Sequence, residues 1–296
     1  MTESEKKFPV TKDPFHTSPK TLENLEDESI WRTIAQDYFN ESAEEINSKV
    51  QILKEKILEL DLKLPRQDDL FLLKFLRAGG GDLEVALKVV QAYIEIMEQN
   101  PIYFAKLSPI SKLDHVFQDQ INTMTESRDE FGRRLYIFRP GLWNPGSSSF
   151  AEVFAAGFVL AEMVSEEAKS QVAGMTLVAD ADGFGFKHLR NFSLSDAKTM
   201  SAFLQSSFPL WFRSMHVVNA PKLFMVAFGM VKPFMPEYVQ NNIHFHANYQ
   251  ELHSIVSKDV LPEELGGNDG KFDNSKCVEH SKTLEEYFKK LEQTSS

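Results

Sequence analysis

The spacing of hydrophobic positions changes character between residues 101 and 120, and each regime predicts its own architecture. From Ser42 to Asn100 apolar residues recur every three or four positions, the period of amphipathic helices. Ser42-Ala-Glu-Glu45 has the spacing of a capping box, and Ile46, Val50, Leu53 and Ile57 follow on one face. Pro65 breaks that helix. Asp68 and Asp69 then cap a second one, LFLLKFLRA, which Gly79-Gly80-Gly81 ends. Asp82 opens a third, with Leu83, Leu87, Val90, Ile94 and Met97 inward, and Pro101 stops it. Residues 41–101 therefore read as a small helical subdomain, preceded by a polar, Pro-containing stretch over 1–40 that reads as a flexible arm.

Beyond residue 120 short β-prone runs alternate with helical ones. Gln120–Thr125 and Arg134–Arg139 flank a hairpin-like turn, Gly174–Asp180 and Met215–Asn219 are continuous apolar runs of buried strands, and Ile243–Ala247 is a last strand. Helices are predicted over Phe150–Glu167, from a Ser195 cap to Phe208, and over Tyr249–Val256. This alternation means an α/β fold: a mainly parallel sheet covered by helices. Ala220–Tyr238 stands apart. Leu223, Ala227, Met230 and Val231 form one apolar stripe, and Phe224, Phe228 and Met235 a second. A helix apolar on two sides is buried on both, or faces something apolar that is not the protein. Pro233 and Pro236 interrupt it well short of a bilayer's thickness.

Composition narrows the partners. The 296 residues are 42% hydrophobic and 25% charged, as in a soluble globular protein, and the net charge of −11 lacks the basic footprint of a nucleic-acid binder. One cysteine, Cys277, excludes an internal disulfide. The first residues, MTESEKKFPV, lack the apolar core of a signal peptide, so a cytosolic location is expected. Twenty-four Phe and ten Met supply adaptable apolar surface.

Candidates for chemistry are sparse. Asp180-Ala-Asp182-Gly183 ends a strand, where carboxylates hold magnesium in some enzymes or simply cap a turn. His244 and His246 share one strand face, a spacing compatible with zinc if a third ligand joins them; His188, His216 and His253 lie at no recognisable spacing. No nucleophile elbow and no dinucleotide fingerprint occurs. What remains is apolar: small residues (Gly157, Ala161, Ala179) among Phe154, Phe158, Met175, Met200 and Phe203, which means tight packing or a cavity in which a ligand replaces side chains.

Ser207-Phe-Pro-Leu-Trp-Phe-Arg213, Val218-Asn219-Ala-Pro221, Lys232-Pro-Phe234 and Leu261-Pro-Glu-Glu-Leu-Gly-Gly267 resemble motifs of the CRAL-TRIO (Sec14-like) lipid-binding family, as do Asp180-Ala-Asp-Gly183 and the helix Asp69–Ala78. Met230-Val-Lys-Pro-Phe234 and Ile243-His-Phe-His246 look closest to its tocopherol-transfer and retinaldehyde-binding branch. The resemblance implies a lipid-binding domain over 110–270, a helical subdomain over 41–101, a mobile lid at Ala220–Tyr238, and a tail with a short helix over 271–296. It implies a structural role for Asp180, Arg213 and Asn219, no catalysis, no metal and no cofactor. The implied pocket wall is Phe154, Phe158, Ala161, Met175, Ala179, Phe186, Phe192, Met200, Phe203, Phe208 and Leu210, with Phe224, Phe228 and Val231 on the lid.

The expected function is an intracellular carrier that moves a small isoprenoid-like ligand (tocopherol, retinoid or carotenoid-like) between membranes, touching them through the lid. A phosphatidylinositol or phospholipid exchanger, a lipid-sensing scaffold and a metal-dependent hydrolase are the alternatives. Members of the branch that bind phosphoinositides use basic side chains beside the lid. The matching positions here are Gly79, Trp211, Tyr238 and Asn242, none basic, so phosphoinositide binding is not expected; Trp211 and Phe212 are instead expected to meet the bilayer interface.

Overall fold

The structure is a computed structural model that describes residues 25–39, 42–204 and 208–294. The arm expected over 1–40 therefore lies outside the described residues up to residue 24, as does Ser207. The helices are α1 (Glu28–Phe39), α2 (Ala43–Glu59), α3 (Asp69–Ala78), α4 (Leu83–Gln99), α5 (Pro101–Phe104), α6 (Asp114–Gln118), α7 (Phe150–Ser165), α8 (Ala168–Ala173), α9 (Phe186–Arg190), α10 (Leu194–Phe203), α11 (Lys222–Val231), α12 (Glu237–Asn241), α13 (Tyr249–Leu252), α14 (Ser275–Thr283) and α15 (Glu285–Thr294). The strands are β1 (Asn122–Arg128), β2 (Arg134–Phe138), β3 (Met175–Asp180), β4 (Phe212–Val218) and β5 (Ile243–His246).

Local chemistry sets the helix boundaries where the sequence places them. Ser42, Asp68 and Asp82 each accept a backbone N–H at the start of α2, α3 and α4. Ser149 and Glu152 form a reciprocal capping box on α7. The cap of α10 lies two residues before the expected Ser195, because Ser193 and Asp196 form the box there, and the helix ends at Phe203. Pro101 stops α4 but also opens α5, since its missing N–H costs nothing at a first helical position.

The sheet runs in the order β1-β2-β3-β4-β5. The β1–β2 pair is antiparallel and the other three pairings are parallel. Its two faces separate by strand alternation. Leu135, Ile137, Val178 and Val218 face a core completed by Leu252, Val256, Val260, Leu261 and Leu265. Tyr136, Leu177, Ala179, Met215 and Val217 face the larger core, with α7, α10 and the N-terminal helices.

Two regions depart from expectation. Residues 28–39, inside the expected arm, form α1: Trp31, Ala35 and Phe39 are buried against Val172 and Ala173. The expected tail is two packed helices, with Tyr287, Phe288 and Leu291 in the main core. A buried polar cluster explains the second. Lys74 of α3 and Glu162 of α7 are both fully buried and form an ion pair, and the Tyr287 hydroxyl of α15 donates to the same carboxylate. Lys74 also donates to Ser165 Oγ at 3.2 Å and lies 4.1 Å from the centre of the Phe71 ring. Three chain segments thus converge on one carboxylate. Lys74→Ala, which leaves Glu162 buried without its cation, is expected to destabilise the fold by about 3–5 kcal/mol in denaturant titration, and Lys74→Met/Glu162→Leu by much less.

Candidate functional site

Beneath α11 lies a cavity walled by the front of the sheet and three helices. Phe138, Leu177, Ala179, Met215, Val217 and Ile243 form its floor. Phe150 and Val153 of α7, Met200 of α10 and Leu204 just after it form the sides, with Trp143, Phe184 and Phe192 at one end. Phe224, Ala227, Phe228 and Val231 of α11, with Met235, roof it. Its volume is about 90 Å³. A second cavity of about 40 Å³ adjoins it, sharing Phe138, Phe150, Val153, Leu177, Met200 and Leu204, and adding Phe154, Phe158, Phe203, Tyr136 and Asn122.

Among the described residues no charged side chain lines either space. The polar groups present are already satisfied. Trp143 Nε1 donates to Ser148 O at 2.9 Å, the Tyr136 hydroxyl donates to Asn122 Oδ1 at 2.6 Å, and Asn122 Nδ2 donates to Val153 O at 2.9 Å. Burial pushes the Tyr136 hydroxyl well above the ordinary phenol range, so it stays protonated.

The roof helix is apolar on both sides. Its inward face is Phe224, Ala227, Phe228 and Val231, an i, i+3, i+4, i+7 pattern that draws from both stripes read in the sequence, while Leu223 and Met230 are half-buried flanks. Met225 and Val226 are exposed outward, and among the described residues nothing lies within 4 Å of where a Gly229 side chain would be. Phe234, just beyond, and Phe245 on β5 are exposed as well. Pro221 precedes the helix, and Pro233 and Pro236 follow it.

Among the expected pocket residues, Ala179, Phe192, Met200, Phe224, Phe228 and Val231 line the main cavity, and Phe154, Phe158 and Phe203 the adjoining one. Five line neither. Phe186 is 68% exposed, because it opens α9 and projects outward. Phe184, two residues earlier, is the one on the wall: it stacks on His188 and meets Phe224 edge to face at 5.5 Å. Met175 shares the parity of Leu177 and Ala179 but sits at the first position of β3, fully buried in the core. Ala161 is buried one turn further along α7, Phe208 packs behind the wall against Phe203 and Phe158, and Leu210 is buried with it. Strand alternation would have found Leu177, Met215 and Val217; Phe138, Trp143 and Phe150 carry no sequence signal that separates them from ordinary core.

Gly157 does not make room for a ligand. A Cβ there would lie 2.2 Å from the Tyr136 hydroxyl, so the glycine accommodates a protein side chain. Trp211 and Phe212 do not face outward freely either. Trp211 donates to Arg77 O at 3.4 Å beneath the Arg213 guanidinium, and Phe212 packs edge-on against Phe203. Asp180 accepts from Asn219 Nδ2 at 3.0 Å and from the Tyr249 hydroxyl at 2.7 Å, which ties the ends of β3 and β4 to α13. His188 accepts the Gly185 N–H at Nδ1 (2.8 Å) and so donates from Nε2 to Trp143 O (2.9 Å). Among the described residues no group of three or more His, Cys, Asp or Glu is placed to hold a metal ion.

A helical roof over a carbon-lined cavity on a mixed sheet defines a binding domain for hydrophobic ligands. Comparison with known proteins gives the class its name: the CRAL/TRIO domain matches residues 118–267, and the chain belongs to that family. It is a non-catalytic lipid-transfer family, and the site is accordingly one of binding. The "Alpha-tocopherol transfer protein-like" protein of Mus musculus is 29% identical over 252 residues, which cover 82% of this chain and 73% of that relative. Clavesin-1 of Xenopus laevis is 27% identical over 231 residues, covering 77% and 70%. The solved structure of Sfh5 aligns with a TM-score of 0.44 at 16% identity, covering 80% of this chain and 91% of its own.

The Gly157–Tyr136 contact is open to a double-mutant cycle. Gly157→Ala is expected to cost about 1–3 kcal/mol in thermal or denaturant unfolding despite its helix-propensity gain, and adding Tyr136→Phe is expected to recover part of that loss.

Proposed function

We propose that the chain is a cytosolic carrier that binds one mostly apolar, isoprenoid-like molecule beneath α11 and passes it between membranes. The observation that carries this reading is the lining: a cavity bounded by carbon on every side, under a helix that is apolar outward as well as inward. A charged head group placed there would lose its hydration without gaining a partner, a cost of several kcal/mol. That weighs against phospholipid exchange. A ligand with a single hydroxyl would find an acceptor in the Tyr136 hydroxyl oxygen, whose own proton is committed to Asn122 Oδ1, a pattern that suits a chromanol or a retinol end group.

Burying roughly 400 Å² of such a ligand contributes on the order of 10 kcal/mol, much of it offset by immobilising ligand and lid. With α11 in place the cavity of about 90 Å³ is smaller than the roughly 300–1,000 Å³ typical of small-molecule pockets. Loading therefore requires α11 to move outward, and its exposed Met225 and Val226 supply apolar surface for a bilayer to meet. Among the described residues no helix is long and apolar enough to cross a membrane, so this contact is peripheral. The positions at which relatives of the branch carry phosphoinositide-binding cations hold Gly79, Trp211, Tyr238 and Asn242; the side chain of Tyr238 lies outside the described residues. Their lack of charge supports release that does not depend on phosphoinositide.

Mass spectrometry of the organic extract of purified protein is expected to show one apolar isoprenoid-like species. Stoichiometric phospholipid would instead support the exchanger. Ala227→Phe, which fills the roof, is expected to weaken binding of added tocopherol or retinol at least about tenfold, whereas Ala161→Trp, away from the wall, is expected to act on stability. Equal binding by wild type and Ala227→Phe would count against the site.

A further inference from the structure

The lid segment is strung between two parallel strands, β4 ending at Val218 and β5 beginning at Ile243. On the sheet face opposite the cavity those strands carry His216, His244 and His246, which the sequence leaves scattered and the register brings together: His216 pairs with His244, and Val218 with His246. The rings of His244 and His246 stack on His216 with centroids 5.4 and 5.2 Å away. His216 Nδ1 lies 2.9 Å from His246 Nε2, and its Nε2 lies 3.2 Å from Ser214 Oγ. A contact between two imidazole nitrogens forms only when one of them carries no proton.

Among the described residues β5 is an edge strand, paired within the sheet with β4 alone. Its junction with the lid is held to β4 by the Met215 N–H donating to Asn242 O at 2.9 Å. We propose that the His216–His244–His246 cluster is an acid-sensitive latch, which holds β5 and the C-terminal end of the lid against β4 while the rings are neutral. Protonation of a second nitrogen sets N–H against N–H and adds positive charge between stacked rings. The other groups acting on the cluster do not rescue it. Arg133, ahead of β2, adds to the positive field at His216, and Glu251 of α13, an anion acting on His246, already accepts the Ala247 N–H at 2.7 Å. Thr176 and Ser214 bond to each other at 3.3 Å beside His216.

Burial, then the neighbouring His246 and His244, push His216 down to about 3, and burial followed by His244 lowers His246. A group whose folded-state value is depressed favours the closed strand fully above its ordinary value near 6.5 and loses that contribution as pH falls below it. For one imidazole the opening equilibrium rises by about sixteen-fold between pH 6.5 and pH 5. The device gives a loaded carrier a reason to open at an acidic surface, and in that sense it rests on the carrier reading.

Hydrogen exchange of the full chain without ligand, read by mass spectrometry and corrected for the intrinsic pH dependence of exchange, tests the latch independently of what the cavity binds. From pH 6.5 to pH 5, peptides covering residues 232–248 are expected to lose protection by about sixteen-fold, while peptides from β3 hold theirs. His216→Gln and His246→Gln are each expected to flatten that response. If His216→Gln fails to fold, the half-exposed His246→Gln carries the same expectation. An unchanged protection in the wild type, or an acid response equally steep in His246→Gln, overturns the proposal.

Discussion

Everything about this binding site follows from a wall that offers carbon and almost nothing else. In such a space a ligand gains by leaving water in proportion to its apolar area, and each polar group it carries subtracts unless the wall supplies a partner. Here the wall's few polar side chains already bond to one another: Tyr136 to Asn122, Asn122 to the Val153 carbonyl, and Trp143 to the Ser148 carbonyl. The same constraint reaches the roof. A helix that closes such a cavity must be apolar inward, and α11 carries Phe224 and Phe228 on that side, with Met225 and Val226 exposed on the other.

The frame and the roof are held by different means. Helix α7 is buried along nearly its whole length, and its Glu162 gathers α3 and α15 through Lys74 and Tyr287. Removing any one of these partners leaves buried polarity uncompensated, so the frame is costly to disturb. Helix α11 buries only Ala227 and Val231 fully. A segment with so little committed surface belongs to the low-stability end of a fold, where moving parts are found. Its two attachments are polar and local: Asn219, at φ 55° beside the Asp180 carboxylate, and the β4–β5 pairing backed by histidines.

Much of this was readable from residues alone, for a physical reason. Caps and breakers act locally, so Ser42, Asp68, Asp82 and Gly79 marked their helices correctly, and the continuous apolar runs of β3 and β4 marked a sheet buried on both faces. Tertiary facts were out of reach. The smallness of Gly157 invited a cavity, yet it answers a hydroxyl that comes from a strand 21 residues away. Phe186 and Phe184 look alike in sequence, yet past the turn at Gly183, with φ 75°, Phe184 is buried on the wall and Phe186 is exposed. Trp31 and Tyr287 sit in polar surroundings that read as arm and tail, because their partners lie far along the chain. His216 joined the histidine pair through parallel register, which spacing does not encode.

The most direct measurement is transfer of a fluorescent tocopherol analogue from donor to acceptor vesicles with the chain at substoichiometric concentration. The account predicts a transfer rate that rises in proportion to protein concentration, with ligand appearing in the acceptors well beyond one equivalent per chain. Saturable binding that leaves the transfer rate at its protein-free value would contradict a carrier, however well the cavity fits its guest.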